Sequence, residues 1–412
     1  MAIIRPFEAI RPAAAFANQV ISLPYDVMNR SEAAEMASGN PYSFLHVCRS
    51  EIDLPECNDP YSEEVYKKAK QNISELLTKK ILLREEKPMF YIYRQTMDGR
   101  MQTGLVACVS VDDYQNNIIK KHEFTRIEKE LDRIRHFDIC NANTEPVFLT
   151  YRRKTAIDEV IQEWTQIHNP EYDFLTKDGI GHILWKIDEE ATLRFLMEQF
   201  NQIPSLYIAD GHHRSASAVK VGLKRREESP NFTGEEEFNF YMAVIFPDED
   251  LKIYDYNRVI KDLNGYSKEQ FLKKLSFHFE VTPAQETPYV PDEKHTFSMF
   301  LDNVWYKLAA KNSILSEDII EGLDVSILQN NVLDPLLGIK DPRTDKRIDF
   351  VGGIRGLKEL ERRCQTDMQI AFALYPVSIS DLLSVSDEGK VMPPKSTWFE
   401  PKLGSGLFMH EL

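Results

Sequence analysis

The sequence has few cysteines and no long apolar run. Its 412 residues include five cysteines, and no two of them have the spacing of a zinc ribbon or a redox dithiol. We expect buried, unreactive thiols in a reducing compartment. No apolar segment approaches the ~20 residues needed to span a bilayer, and the N-terminus lacks the apolar core of a signal peptide. These absences predict a cytoplasmic protein with no membrane partner.

Positive charge is also in short supply. Lys and Arg number 50 against 65 Asp and Glu, which gives a formal net charge of −15. Proteins that bind duplex DNA usually present a basic face, so this balance argues against nucleic acid as a bulk partner. It predicts solubility, and it leaves open both a local basic groove and assembly into a homo-oligomer.

The length exceeds what one small core needs, so more than one structural unit is expected. An apolar content of 42% is ordinary for a folded protein. The order of predicted strands and helices changes after Ile260. We predict an α+β fold with an N-terminal unit over residues 1–261 and a smaller C-terminal α+β unit over residues 262–412, whose tail returns to the N-terminal unit.

Several elements follow from periodicity and turn signals. An amphipathic stripe predicts a helix over Ser62–Arg84. Alternation on both sides of an Asp-Gly turn predicts a hairpin of Met89–Met97 with Met101–Val111.

Short apolar runs predict further strands. One such run predicts a strand at Phe44–Val47. Phe238–Phe246 and Leu251–Ile260 are expected to pair as antiparallel strands across the turn that separates them.

The densest polar cluster stands between an apolar run, Leu206–Ile208, and a segment of helical composition, Ser215–Leu223. A strand that runs into a helix leaves the first N–H groups of that helix unpaired and facing outward. The glycine of the cluster allows a sharp turn and close approach of a ligand. Together with an arginine and two imidazoles, this junction predicts a cradle for an anion, most naturally a phosphate. The residues are Asp210, Gly211, His212, His213 and Arg214. The alternative is a plain Asp-Gly turn with histidines that cap the helix.

A second cluster, His122-Glu123, precedes the charged segment Lys129–Arg135. An adjacent imidazole and carboxylate can serve as a base, a metal ligand or a substrate clamp. The spacing is not that of a zincin, because no second histidine stands on the same helical face. The charged segment is equally well explained as a solvated helix with surface ion pairs.

Taken along its length, the sequence resembles a bacterial and archaeal family described as a domain of unknown function. The matching segments are Arg5-Pro6-Phe7, Pro24-Tyr25-Asp26-Val27, residues 40–46, His122-Glu123, Asp132-Arg133, residues 209–214 and residues 393–397.

A narrower resemblance implies a chemistry. The segment Asp210–Arg214 is similar to the phosphate-binding loop of free L-serine kinases, which belong to the ParB/sulfiredoxin superfamily. This resemblance implies a ParB/sulfiredoxin-like nucleotide-binding core with large insertions. It also implies ATP or ADP and Mg²⁺ as cofactors, and a small-molecule hydroxyl as substrate. In those kinases a carboxylate shortly after a Leu-Pro step acts as base, and here Leu23-Pro24 precedes Asp26. We therefore expect Asp26 to be the base, with His122 and Glu123 as further catalytic candidates.

Other assignments stay open at this stage. Glu51 and Asp53 are rival bases. A nucleotide-binding regulatory module would use the same cradle without turnover. A metal-dependent phosphoesterase would use Asp210, His122 and the two adjacent histidines of the loop, although neighbouring helical side chains point ~100° apart and fit one metal poorly.

Distant segments of the chain are also expected to converge on this loop. We predict that Asp26 and the His122-Glu123 pair lie beside the loop Asp210–Arg214 in one cleft. A base must lie within hydrogen-bond reach of the hydroxyl that it activates, directly or through one water.

Overall fold

A computed structural model describes residues 1–57 and 59–412. The chain divides into two compact units, and each contains both strands and helices, which confirms the α+β class. The first unit comprises residues 1–121, 125–251 and 401–412, and the second comprises residues 122–124 and 252–400. The main division therefore falls between Leu251 and Lys252, upstream of the boundary expected after residue 261.

The elements are numbered here in chain order. The strands up to residue 251 are β1 (Ile4–Arg5), β2 (Ala9–Pro12), β3 (Leu82–Arg84), β4 (Phe90–Met97), β5 (Arg100–Ser110), β6 (Ile119–Lys120), β7 (Ala142–Asn143), β8 (Val147–Tyr151), β9 (Tyr172–Leu175), β10 (Gly181–Ile187), β11 (Leu206–Asp210) and β12 (Phe240–Pro247). The α-helices of this part are α1 (Ala17–Val20), α2 (Arg30–Ala37), α3 (Leu45–Cys48), α4 (Glu63–Thr78), α5 (Val111–Gln115), α6 (Ile127–Cys140), α7 (Thr155–Ile167), α8 (Glu190–Asn201) and α9 (His212–Glu228).

The strands that follow are β13 (Ile253–Tyr254), β14 (Tyr256–Ile260), β15 (Phe279–Pro283), β16 (Thr296–Leu301), β17 (Val304–Ala310), β18 (Ile348–Gly352), β19 (Ile370–Leu374), β20 (Trp398–Phe399) and β21 (Met409–Glu411). The α-helices are α10 (Lys268–Leu275), α11 (Asp324–Leu328), α12 (Leu357–Thr366) and α13 (Ile379–Asp387), and a π-helical turn over Gln329–Leu333 follows α11.

Two sheets organise the described residues of the first unit. Nine strands form a mixed sheet in the order β6-β11-β8-β12-β5-β4-β10-β9, and β1 pairs with β5. Strand β11 is parallel to β6 and antiparallel to β8. A smaller antiparallel sheet has the order β3-β2-β21-β7, so the last strand of the chain pairs with segments from its start and middle.

The core of the first unit shows both periodicities. Alternate residues of β5, among them Leu105 and Ala107, face the core with period two. Helix α7 contributes Ile157, Ile161 and Trp164, which share one face at spacings of four and three. Complete burial of each large apolar side chain stabilises the fold by about 1.5–3 kcal/mol.

The second unit has its own sheet and core. Within the described residues, six strands form an antiparallel sheet in the order β15-β17-β16-β19-β14-β18. Helix α12 packs on it, and its Leu360 is buried together with Val259, Phe300 and Val351. A short antiparallel pair, β13 with β20, completes this unit.

The strand predicted at Phe44–Val47 is wrong. Residues Leu45–Cys48 form the helix α3. The buried positions are Phe44, Leu45, Val47 and Cys48, a pattern that places side chains on one helical face and that no alternating strand produces.

The predicted helix Ser62–Arg84 is too long. Helix α4 ends at Thr78, and Lys80 adopts a left-handed conformation with φ 56°. The chain then turns into β3, which pairs with β2. The sequence stripe continues across this turn because Ile81 and Leu82 are also buried.

The predicted pairing of Phe238–Phe246 with Leu251–Ile260 is also wrong, although both segments contain strands. Strand β12 lies between β5 and β8, so both of its edges are already paired. Strand β14 pairs with β18 and β19 in the second unit.

Among residues 1–57 and 59–412, no helix is long and apolar enough to cross a bilayer.

Candidate functional site

Strand β11 passes into helix α9 through a single residue, Gly211. This residue has φ 88° and ψ 32°, in the left-handed region. A Cβ at this position would lie 3.0 Å from Nε of Arg214, so both conformation and space require glycine. Because α9 begins at His212, the N–H groups of its first turn have no partner within the helix and carry the positive end of its dipole. The predicted strand–turn–helix junction is confirmed.

Buried polar contacts fix the start of α9. Ser215 donates its hydroxyl to Oη of Tyr241 on β12 at 2.9 Å. Ser217 donates to the carbonyl oxygen of Glu130 on α6 at 3.1 Å. These contacts hold the first turns of α9 against the sheet and against α6, so the exposed N–H groups are pre-positioned.

Arg214 points into the protein rather than out of the loop. Its side chain is 1% exposed. Nη1 donates to the carbonyl oxygen of Pro146 at 2.6 Å, and Nη2 donates to Oδ2 of Asp210 at 3.4 Å. Burial lowers the pKa of the guanidinium, but the negative charges of Asp26, Asp210 and Glu145 outweigh it and raise the pKa above its usual value. Arg214 is therefore a buried cation at the centre of an acidic group.

Asp210 is the ionised carboxylate of the loop. Its Oδ2 lies 3.4 Å from Nη2 of Arg214 and 3.6 Å from Nζ of Lys402. Burial raises the pKa of Asp210, but Lys402, Arg214 and His212 outweigh it and lower the pKa to about 2. The side chain is 31% exposed. The loop thus presents a permanent negative charge beside the positive end of α9.

His213 is the imidazole of the loop that reaches the surface, and His212 is buried. Burial is the main cause of a lowered pKa at His213, and it outweighs the opposing charge of Asp26. The ring is therefore neutral at neutral pH. Within the described residues, its Nδ1 is buried without a hydrogen-bond partner.

Replacement of His213 with alanine is expected to weaken ADP binding roughly fivefold, because one neutral hydrogen bond contributes about 1 kcal/mol. Calorimetric titration with ADP measures this change, and His278→Ala, in the second unit, is the matched control. Equal ADP affinity in the His213 variant and the unsubstituted protein would remove this imidazole from the site.

The structure brings Asp26 to the same region of the first unit. Asp26 lies in a 3₁₀ turn over Tyr25–Val27, and its side chain is exposed. Its charge acts on both Arg214 and His213. An exposed carboxylate of the first unit therefore acts electrostatically on the first turn of α9, and its role as a base stays a prediction.

A buried glutamate, Glu145, forms a hydrogen bond to the backbone of the turn that carries Asp26. Glu145 is 1% exposed, and its Oε1 accepts hydrogen bonds from the backbone N–H of Tyr25 at 3.1 Å and from Oγ of Ser405 at 2.9 Å. Its Oε2 lies 3.6 Å from Nη1 of Arg133. Burial raises the pKa of Glu145, whereas Arg214 and Arg133 oppose this shift. One carboxylate thus connects the Asp26 turn, helix α6 and the tail of the chain.

His122 and Glu123 belong to the second unit. There, Nε2 of His122 lies 3.3 Å from Oγ1 of Thr397, and the backbone carbonyl of His122 accepts a hydrogen bond from the N–H of Met392 at 2.8 Å. Their proposed catalytic role stays a prediction.

The rival carboxylates have structural partners. Oε1 of Glu51 lies 2.8 Å from Nε of Arg49. Oδ1 of Asp53 lies 2.7 Å from Nδ1 of His46, and Oδ2 accepts a hydrogen bond from Asn72 at 2.7 Å. These pairs favour Asp26, which is exposed, over Asp53 and Glu51 as a base.

The His46–Asp53 pair predicts a pH-dependent stability. The hydrogen bond to Asp53 raises the pKa of His46 above its usual value of 6.5. The stabilisation is therefore complete below about pH 6.5 and is lost as pH rises through the folded-state pKa. We expect the destabilisation caused by His46→Gln to be larger at pH 6 than at pH 9, as measured by urea unfolding. A difference that grew with pH would contradict this assignment.

The side chains at this site are better suited to Mg²⁺ that is bound together with phosphates than to a metal ion held by protein ligands alone. Mg²⁺ is usually held by one or two carboxylates together with phosphates and water, and Asp210 offers a partly exposed, ionised carboxylate. Catalytic zinc sites use three protein ligands. In the part of the chain that the structure describes, no group of three or more His, Cys, Asp or Glu side chains could hold a metal ion.

Two groups of this site were not expected from the sequence. Glu145 follows an ordinary polar stretch, and nothing in its spacing distinguishes it. Lys402 lies in the polar tail, and its carbonyl oxygen accepts a hydrogen bond from Gln95 at 2.8 Å, which anchors the tail on β4. The composition of that tail was the one signal for Lys402.

Together, these features define an α+β protein with a strand–glycine–helix junction at Gly211. The chain belongs to the DUF1015 family, described as "Protein of unknown function", which matches residues 4–326. No curated protein matches the sequence.

Among solved structures, the chain is similar to a free serine kinase in complex with AMP, with a TM-score of 0.36 and 13% identity over 73% of this chain and 92% of that chain. It is similar to a conserved hypothetical protein from Pyrococcus furiosus, with a TM-score of 0.35 and 14% identity over 74% of this chain and 94% of that chain. It is also similar to SbnI with a C-terminal truncation from Staphylococcus aureus, with a TM-score of 0.40 and 11% identity over 74% and 87% of the two chains.

Proposed function

We propose that this protein is a nucleotide-dependent kinase that phosphorylates the hydroxyl of a small molecule such as free L-serine, on a ParB/sulfiredoxin-like core. One observation carries the proposal: the exposed carboxylate of Asp26 accompanies the Gly211 turn and the first turn of α9 within one unit. Phosphoryl transfer needs positioning and charge neutralisation more than covalent chemistry. A carboxylate beside an anion-binding helix start supplies a base and a phosphate site together.

The phosphates of ATP or ADP bind at the start of α9. The first-turn N–H groups and the imidazole of His213 donate to phosphate oxygens. Arg214 lies beneath the loop and holds Asp210 in place, so its effect on the nucleotide is indirect. Asp210 is the side chain that would hold Mg²⁺, and that ion would neutralise phosphate charge beside a carboxylate that otherwise repels it.

Asp26 acts on the acceptor. Its carboxylate takes the proton of the acceptor hydroxyl as that oxygen forms a bond to the terminal phosphorus. The bond between this phosphorus and the bridging oxygen breaks, and the shortened nucleotide leaves with the electron pair. His122 and Glu123 stay candidates for a phosphate contact and for a second base.

A screen with ATP and with ADP against amino acids and small alcohols, monitored by phosphorus NMR, tests the proposal. We expect a phosphomonoester signal together with ADP or AMP. Nucleotide binding without any phosphomonoester would favour the regulatory module. Absence of nucleotide binding would refute both.

A further inference from the structure

A cleft of about 280 Å³ opens in the first unit beside the Asp26 turn. Tyr25 forms part of its wall, and the next residue is Asp26. Further walls come from helices α4 and α6 and from the segment around Glu51. The volume suits a small polar metabolite rather than a nucleotide. If the proposed function holds, this cleft is where the acceptor places its hydroxyl.

Basic side chains outnumber acidic ones in the wall. The cations are Arg30, Arg49, Lys129 and Arg133, and the carboxylates are Glu51 and Asp132. The lining therefore carries a formal charge of about +2, because its histidine, His136, is neutral at neutral pH. Burial, with help from Arg133, lowers the pKa of His136 to about 3.

Both carboxylates of the lining are already engaged. Glu51 pairs with Arg49 at 2.8 Å. Oδ2 of Asp132 lies 3.0 Å from Nη2 of Arg133, and its Oδ1 accepts a hydrogen bond from Oη of Tyr66 at 3.0 Å. To pair with either of these two lining carboxylates, an ammonium group would have to displace one of these contacts.

Two of the cations, Arg30 and Lys129, form no ion pair with the lining carboxylates, which bind Arg49 and Arg133 instead. Arg30 donates to the carbonyl oxygens of Cys57, Glu51 and Leu54 at 2.7–2.9 Å, which fixes the guanidinium without cancelling its charge. Nζ of Lys129 lies 3.2 Å from the hydroxyl of Tyr61. Because no lining carboxylate balances the charges of Arg30 and Lys129, this part of the wall attracts an anionic ligand.

We infer that the acceptor of the proposed kinase is a small hydroxycarboxylate without an ammonium group, in place of the free L-serine given above as an example, bound as an anion in this cleft with its hydroxyl toward Asp26. The part of the inference that has the hydroxyl phosphorylated rests on the proposed function. The binding preference itself rests on the charge of the wall.

Three compounds that share a hydroxymethyl group separate the alternatives. Glycerol is neutral, L-serine is a zwitterion without net charge, and glycerate carries one negative charge. Calorimetric titration of each into the full chain without nucleotide is expected to show glycerate binding at least about tenfold more tightly than L-serine, since a charge-assisted contact contributes that much. Equal or tighter binding of L-serine would overturn the inference.

A charge-removing variant tests the cleft itself. Lys129→Gln is expected to weaken glycerate binding roughly tenfold, while Lys67→Gln, on the exposed side of α4, leaves it unchanged. Urea unfolding shows whether each variant keeps its fold. Unchanged glycerate affinity in a folded Lys129 variant would overturn the assignment.

Failure of the two proposals can be told apart. Glycerate binding without phosphoryl transfer from ATP or ADP refutes the kinase and supports the anionic cleft. Phosphoryl transfer to L-serine without glycerate binding supports the kinase and overturns the cleft assignment.

Discussion

Replacement of Asp26 with asparagine is expected to reduce phosphoryl transfer by about 10²–10⁴-fold, the contribution of a general base, while ADP affinity stays unchanged. An amide has nearly the shape of a carboxylate but cannot accept the proton of the acceptor hydroxyl. Because Asp26 is exposed, we expect the variant to keep its fold, which urea unfolding checks. Phosphorus NMR measures the rate, and calorimetry measures ADP binding.

The variant for comparison is Glu51→Gln, which removes the rival carboxylate in the wall of the proposed acceptor cleft. Glu51 is paired with Arg49, so its loss should not impair proton transfer to the extent that loss of Asp26 does. If Glu51→Gln abolished turnover and Asp26→Asn preserved it, the base would be Glu51, and the Leu-Pro context would have misled the assignment.

The junction at Gly211 could be predicted from sequence because every relevant signal is local. An apolar run, a glycine and an Ala-rich segment follow one another within Leu206–Leu223. The structure forms β11 and α9 over this stretch. Local composition specifies such a turn because it depends on backbone conformation more than on distant contacts.

Contacts between distant residues could not be predicted in this way. Glu145 accepts hydrogen bonds from Tyr25, 120 positions away, and from Ser405, 260 positions away. No periodicity encodes such pairs. The same limit explains the wrong pairing predicted for β12. Its neighbours β5 and β8 depend on the strand order of the whole sheet rather than on local sequence.

Arg214 shows how a correct local pattern can lead to a wrong role for a side chain. An arginine in the first turn of a helix after a glycine usually suggests direct phosphate contact. Here the side chain turns inward to Pro146 and Asp210. Its environment contains three carboxylates, of Asp26, Asp210 and Glu145, and all of them raise its pKa. This cation is therefore a structural centre of the site.

Replacement of Arg214 with alanine is expected to destabilise the first unit by about 3–5 kcal/mol, because removal of one partner leaves buried opposite charge uncompensated. Arg214→Lys keeps the charge but lacks the planar guanidinium that bonds to both Pro146 and Asp210. We therefore expect an intermediate loss of unfolding free energy. Urea unfolding measures the change. Arg194→Ala, on the exposed face of α8, is the control and should change stability by less than about 0.5 kcal/mol.

A double variant separates the buried charge from general packing. Asp210→Asn removes one of the carboxylates that Arg214 compensates. In a protein that already carries this substitution, Arg214→Ala should therefore lower the free energy of unfolding by measurably less than it does alone. The difference between the two losses of unfolding free energy is the coupling energy of Arg214 and Asp210. Coupling energies of about 0.5–3 kcal/mol are usual for residues in one network. Additive costs would mean that Arg214 stabilises the fold through Pro146 and packing alone. An Arg214→Ala variant that unfolds at the same urea concentration as the unsubstituted protein would contradict its placement at the centre of the acidic group.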